Sequence, residues 1–314
     1  MPGVAVQATP PADWAARCAS SDFVFHSSQW TGLLEASFNA KTQYVLDAAG
    51  QCGAAVSSFS AGPFRIGYWG FPFGGSVGGT PPVQTYFDEL RASGSDLLPT
   101  AIRVPVSAFE KPVDLAFKCV RTPETAIADL RTWTLGLASE NHRRDIKKAI
   151  RSGLISEDAS RPEDGAIIFG IYQDTVKRHR GGLRYNESYF TKLIELAQSD
   201  PRVRVRLARL DGEIAGFVAA IRHGPVACYL HGGLRLQFRQ YRPSALLLSE
   251  AIAWAQECGC ERFNFMSSPA DQHSLIRYKE KWGAETREHR TYTIPIRSSY
   301  PFFTVAEQLY RLLR

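Results

Sequence analysis

The chain has 314 residues and a mass of 34.9 kDa, with 44% hydrophobic and 22% charged residues; such a composition supports sizeable packed cores and excludes wholesale disorder. No apolar run approaches the length of a membrane-spanning helix, and residues 1–14 lack the charged n-region of a secretory signal, which sets the expectation of a cytoplasmic protein with no transmembrane segment. The net charge of +6 is uneven: seven Lys/Arg face nine Asp/Glu in residues 1–120, whereas thirty face twenty-two in residues 121–314, so the later part is either the better candidate for meeting phosphate, nucleotide or RNA or simply a soluble basic surface.

Residues 1–12 are small and Pro-rich and read as loose. Trp30, Leu33, Leu34 and Phe38 share one helical face. Strand patterns follow at 42–46 and 54–59, split by a Gly50-Gln51 turn, and again at 64–73. Gly74, Gly75, Gly78 and Gly79 make a loop with little side chain. A helix is predicted over 83–91, strands over 101–106 and 115–120, and a connecting helical segment over 123–135. The six cysteines, at 18, 52, 119, 228, 258 and 260, form no Cys-x-x-Cys pair and read as reduced packing thiols, with no metal site expected.

The second half is patterned more clearly. A basic helix spans 141–152 and stops at Gly153. A short strand at 154–157 precedes helices over 162–179 and 186–198. Strands at 203–210, 214–221 and 226–231 follow, the first two joined by the hairpin signal Asp211-Gly212. Pro243 opens a long apolar helix to Glu257, and a strand at 262–265, a helix over 272–282 and a strand at 286–296 complete the run. Residues 301–314 are amphipathic, read as a docked helix or, less simply, a membrane-surface one.

The order β-α-α-β-β-β-α-β-α-β is that of the GCN5-related N-acetyltransferase (GNAT) fold. Three segments sharpen the likeness: Thr175-Val176-Lys177-Arg178-His179-Arg180-Gly181-Gly182 with Tyr189-Phe190; Tyr229-Leu230-His231-Gly232-Gly233; and Tyr278-Lys279-Glu280-Lys281-Trp282-Gly283. Together they resemble the FemABX-like branch of GNAT proteins, including its BioF2-like members. The resemblance covers residues 140–297 well and 25–120 loosely. It implies an α+β chain of two tandem GNAT-like domains, each a mixed, mostly antiparallel sheet flanked by helices. The expected division is 12–135 for a degenerate first domain, 136–297 for the domain holding the donor site, and 298–314 for a terminal helix. No heptad run stands where cell-wall bridge enzymes of the family carry a coiled-coil arm.

The resemblance implies acyl transfer to an amine, with amide formation. Negative charge then builds on the carbonyl oxygen and needs a donor. Lys279 matches the family lysine beside the donor ester and is the expected catalytic residue; Tyr278 is its aromatic partner, able to stack on a base or ribose. Helical spacing alone offers another arrangement, with Tyr278 and Trp282 in the core and Lys279 in solvent. Arg178 matches a family arginine on substrate phosphate and otherwise reads as a helix-terminal cation. His179, Tyr229, Gly232 and Gly233 complete the expected substrate site.

Arg143, Arg144, Lys147, Lys148 and Arg151 give the 141–152 helix five cations against Asp145, a pattern for tracking phosphate or simply a solvated face. Arg239 and Arg242 add charge before the apolar helix. Acetyl-CoA users carry glycines there, whose amides cradle the pyrophosphate; here the segment is Arg239-Gln240-Tyr241-Arg242-Pro243-Ser244-Ala245, without glycine and with one amide removed by proline. The expected cosubstrate is therefore aminoacyl-tRNA, with acyl-CoA as the alternative, and no bound cofactor. Expected partners are charged tRNA and a small-molecule amine acceptor, not DNA. A non-catalytic nucleotide- or RNA-binding module is the rival class.

Overall fold

Val4–Gln7 forms strand β1, paired antiparallel with β2 (Lys41–Asp47). The Pro-rich start is thus not loose throughout: Val4 is buried, and the ladder supplies order that the flanking prolines do not. The computed structural model describes residues 3–78, 83–178 and 182–312. Helices α1 (Trp14–Ser20) and α2 (Ser28–Phe38) separate β1 from β2, and Ser27 caps α2 by accepting from the Trp30 amide at 3.2 Å. β2, β3 (Gly53–Ala61) and β4 (Phe64–Trp69) make an antiparallel meander. Helix α3 (Gln84–Ala92) then leads to β5 (Ala101–Val106), which lies parallel to β4.

Strand β6 (Lys118–Ile127) replaces the expected helix over 123–135 in its first half. Thr122 and Thr125 suit a strand, and the ladder Ile127↔Phe263 and Ala126↔Asn264 outweighs the helical leaning of Glu124 and Ala126. Helix α4 (Glu140–Arg151) and strand β7 (Ile155–Asp158) come next, then α5 (Asp164–Arg178), α6 (Glu187–Ser199), β8 (Val203–Leu210), β9 (Glu213–His223) and β10 (Val226–Leu234). Asp211 and Gly212 sit at φ 51° and 82°, both central residues in the left-handed region, as a two-residue hairpin turn requires. Helices α7 (Pro243–Glu257) and α8 (His273–Glu280) flank β11 (Arg262–Ser267); β12 (Glu285–Pro295) and α9 (Tyr300–Leu312) close the chain.

Contacts divide the chain into two units, residues 1–121 with 288–314, and residues 122–287. Unit 1 has the strand order β1-β2-β3-β4-β5-β12, and unit 2 has β7-β8-β9-β10-β11-β6. Each order is an edge strand, a three-strand meander, a parallel fifth strand and an antiparallel sixth. The GNAT-like strand order is therefore present twice, once in each unit, as the tandem reading expects. In unit 1 the sixth strand comes from the chain beyond unit 2, whereas in unit 2 it is the first strand of the segment, so unit 1 is discontinuous in sequence in a way that linear boundaries at 135 and 297 do not express. The core of unit 2 gathers on α7, where Leu247, Ile252 and Ala255 are fully buried with Phe263 and Trp282. Among the described residues no helix is long and apolar enough to cross a membrane.

Candidate active site

The site of unit 2 begins where two strands part. β10 and β11 run parallel only over Val226–Cys228 and Arg262–Asn264. Beyond that, β10 bulges between Tyr229 and His231 but stays on β9 to Leu234. β11 follows β6 instead, with its own irregularity between Asn264 and Ser267. Phe265 and Met266 are left without a register partner on either neighbour. Buried carbonyls so freed need other donors.

Lys279 is that donor. It lies on α8, only 5% exposed, and its ammonium donates to Phe265 O (2.7 Å), Met266 O (3.1 Å) and Ser268 Oγ (2.7 Å). Burial lowers its pKa to about 7, with buried Glu124 pulling the other way. Asn264 completes the network: its Nδ2 donates to Glu124 Oε1 at 2.6 Å, and its Oδ1 accepts from the Met266 amide at 2.7 Å. The arrangement with Lys279 in solvent, which spacing alone allows, does not occur. Tyr278 has its ring against His142 at 4.9 Å and in the core cluster, rather than standing free for a base; burial and the neighbouring Tyr229 raise its pKa.

Tyr229 points along β10 beneath Gly232. A Cβ on Gly232 would collide with the Tyr229 hydroxyl, so the bulge, the tyrosine and the glycine form one fitted unit. Burial pushes the Tyr229 hydroxyl up to about 12. Gly233 lets α5 approach: its Cβ would meet Ile171 Cγ2 and Thr175 Oγ1 at 2.9 Å. His231 bonds the Tyr189 hydroxyl at 2.9 Å, and burial lowers its pKa to about 3, so it is a neutral, packed histidine.

Arg178 stands at the exposed end of α5, in an open groove of about 520 Å³ with Asp174, Lys177, Arg235, Leu236 and Gln237. Arg239 and Arg242 line an adjoining groove that shares Leu236 and Gln237. His179, Arg180 and Gly181 lie outside the described residues. Residues 236–241 wind into a 3-10 turn instead of a glycine loop, and the Phe238 and Arg242 amides are consumed by Arg235 O and Arg239 O. Arg242 itself, at φ 63°, immediately precedes α7 and pairs with Asp145 of α4 at 3.2 Å. On α4, Arg144 and Lys147 are exposed, while Arg143 donates to Gly136 O at 2.7 Å.

Sequence reasoning missed Glu124, Asn264 and Ser268. Glu124 falls in a stretch that reads as helix. Asn264 carries a signal, a lone amide between Phe263 and Phe265 in an apolar strand, since a buried polar group there needs a partner.

A three-strand meander, a parallel pair that parts midway and a helix entering at the parting define a GNAT acyltransferase domain. Residues 138–280 match the Acetyltransferase (GNAT) domain family, Acetyltransf_6, and the protein is accordingly an acyltransferase. Its fold is similar to that of FemX, at TM-score 0.66 and 13% identity over 96% of this chain and 99% of that one. It is also similar to L-PGS from Bacillus licheniformis, at 0.60 and 13% over 94% and 95%, and to a tandem GNAT protein of the clavulanic acid biosynthesis pathway, at 0.51 and 11% over 92% and 98%. The fold is thus that of the FemABX-like branch of GNAT proteins. No curated protein matches the sequence.

Proposed function

We propose that the protein forms an amide bond by moving an aminoacyl group from aminoacyl-tRNA to the amine of a small-molecule or precursor acceptor. The observation that carries this reading is the Lys279 ammonium, buried at the parting of β10 and β11, where a carbonyl can be brought to a positive charge in a low-dielectric setting. The acceptor nitrogen attacks the ester carbonyl, and its oxygen takes the charge. The carbon–oxygen bond to the ribose then breaks, and the proton lost from nitrogen is gained by the ribose oxygen. Lys279 meets the oxyanion by giving up its longest bond, the 3.1 Å contact to Met266 O. Tyr229, Gly232 and Gly233 shape the wall of the donor site, Tyr278 fixes the helix turn that carries Lys279, and Arg178 grips an anionic part of the acceptor in its groove.

The donor assignment rests on the 236–242 segment. Its 3-10 winding spends backbone amides internally, which impairs the pyrophosphate cradle that acyl-CoA needs. Purified protein given charged tRNA or labelled acetyl-CoA separates the two donors. Amide product from tRNA, reduced about 100-fold in kcat by Lys279→Met, is the expected result; product from acetyl-CoA alone overturns the tRNA reading.

A further inference from the structure

Helix α4 rides on the turn that carries Lys279. The Ser139 amide donates to Lys281 O at 2.7 Å, His142 Nε2 bonds Tyr278 O at 3.2 Å, and the His142 ring lies 4.6 Å from that of Trp282. His142, Ile146 and Ala149 turn into the core. On the opposite side Arg144, Lys147, Lys148 and Arg151 are exposed, successive cations standing three, one and three residues apart. A helix of this length spans about 18 Å, and residues three or four apart place their Cβ atoms about 5–6 Å from each other. The helix's one mid-length acid, Asp145, is taken by Arg242, which joins this face to the arginine-lined groove before α7. Glu140 meets Arg144 only as an exposed pair at 4.0 Å.

We propose that this face is a docking surface for double-stranded RNA, which lays the acceptor-stem duplex of the donor along α4 so that its 3′ end is delivered to α8; the identity of that duplex rests on the donor reading above. An anionic membrane would also meet the charge, but an interfacial helix needs a free apolar face to insert. That face of α4 is already spent on the core, leaving Ile150 as its one exposed large hydrophobic residue. Phosphate recognition along a duplex needs only cations at helical spacing and no aromatic platform.

The test uses the full chain and a fluorescent short RNA duplex with a single-stranded 3′ extension, titrated by anisotropy across a salt series. The variant combining Lys147→Ala, Lys148→Ala and Arg151→Ala is expected to weaken binding at least tenfold at moderate salt. It is also expected to flatten the slope of log affinity against log salt by about 2, since each phosphate contact contributes about 0.7–0.9. Wild-type affinity and slope in that variant overturn the proposal, as does loss of binding to phosphatidylserine vesicles with duplex binding intact. The two readings fail separately. Duplex binding that follows the α4 charge while acetyl-CoA proves the working donor keeps the surface and removes the donor assignment. Transfer from aminoacyl-tRNA with an unchanged KM for tRNA in the triple variant keeps the donor and removes the surface.

Discussion

Lys279 and Met266 are joined where the parallel strands separate: the lysine ammonium lies 3.1 Å from the methionine carbonyl oxygen, and Met266 holds φ at 61°. A side chain in that left-handed conformation costs about 1–2 kcal/mol. Two polar side chains keep it there, Lys279 on the carbonyl and Asn264 on the amide. The parting of β10 from β11 is therefore a held distortion, and the groups that hold it are open to test.

Lys279→Met keeps the length of the side chain and removes the donor. Carbonyls of Phe265 and Met266 lose a buried partner, each at about 1–3 kcal/mol, offset by the relief of a buried charge. The pH dependence has a definite sign. Burial lowers the folded-state pKa to about 7, below the ordinary 10.5. Between those values the unfolded chain binds the extra proton, so wild-type stability rises from pH 7 toward 10.5. Urea midpoints at pH 7 and 9.5 should show the wild type gaining on the variant; parallel shifts in both proteins would refute a buried, depressed lysine.

Asn264→Ala strips a donor from Glu124 and an acceptor from the Met266 amide in one change. We expect a loss of about 2–4 kcal/mol, the scale of two unsatisfied buried groups. Because Asn264 and Lys279 hold the same residue, the double variant should lose less than the separate losses added together. Strict additivity in urea unfolding would show that the two side chains act independently.

Much of unit 2 is legible in its sequence because local signals and tertiary demands agree. Asp211-Gly212 fits only a tight reversal, Pro243 opens a helix, and the alternation of 203–210 suits a strand with one buried face. Lys279 stands out through a motif, yet its burial does not, since spacing on a short helix does not reveal that a strand end nearby has unpaired carbonyls. Residues 122–127 mislead for a related reason: Pro123, Glu124 and Ala126 lean toward a helix start, and only the distant partner β11 makes the segment a strand. Glu124 is hidden with it.

Gly232→Ala tests the fit on β10. The new methyl would collide with the Tyr229 hydroxyl and stand 2.9 Å from two ring atoms, so the tyrosine must move out of its place. Transfer should fall by at least tenfold while the melting temperature drops only a few degrees. In a Tyr229→Ala background the same glycine change should cost little further, because the obstruction is gone. An equal loss in both backgrounds would mean that the glycine serves its own backbone rather than the tyrosine.

In unit 1 a second buried group gives the opposite flank of the pH profile. His26 accepts from the Ala55 amide through Nδ1 at 3.1 Å, which leaves Nε2 to donate to Gly74 O at 3.1 Å. The ring thereby ties the glycine loop after β4 to β3 in one neutral tautomer. A second proton would set an N–H against the Ala55 N–H. Burial lowers the pKa from the ordinary 6.5 to about 4. The unfolded chain therefore binds the proton more readily between those values, and stability present above pH 6.5 drains as the pH falls toward 4. The loss is on the order of 3 kcal/mol, since each tenfold weakening of proton affinity is worth about 1.4 kcal/mol. His26→Phe should be weaker than wild type at pH 7.5, having lost both bonds, and should approach it as the solution is acidified to pH 4.5. Hydrogen exchange at the Gly70 amide, which bonds Ala55 O at 3.0 Å, reports the same loosening locally. If the gap between the two proteins stays constant across this range, His26 does not titrate as a buried neutral ring.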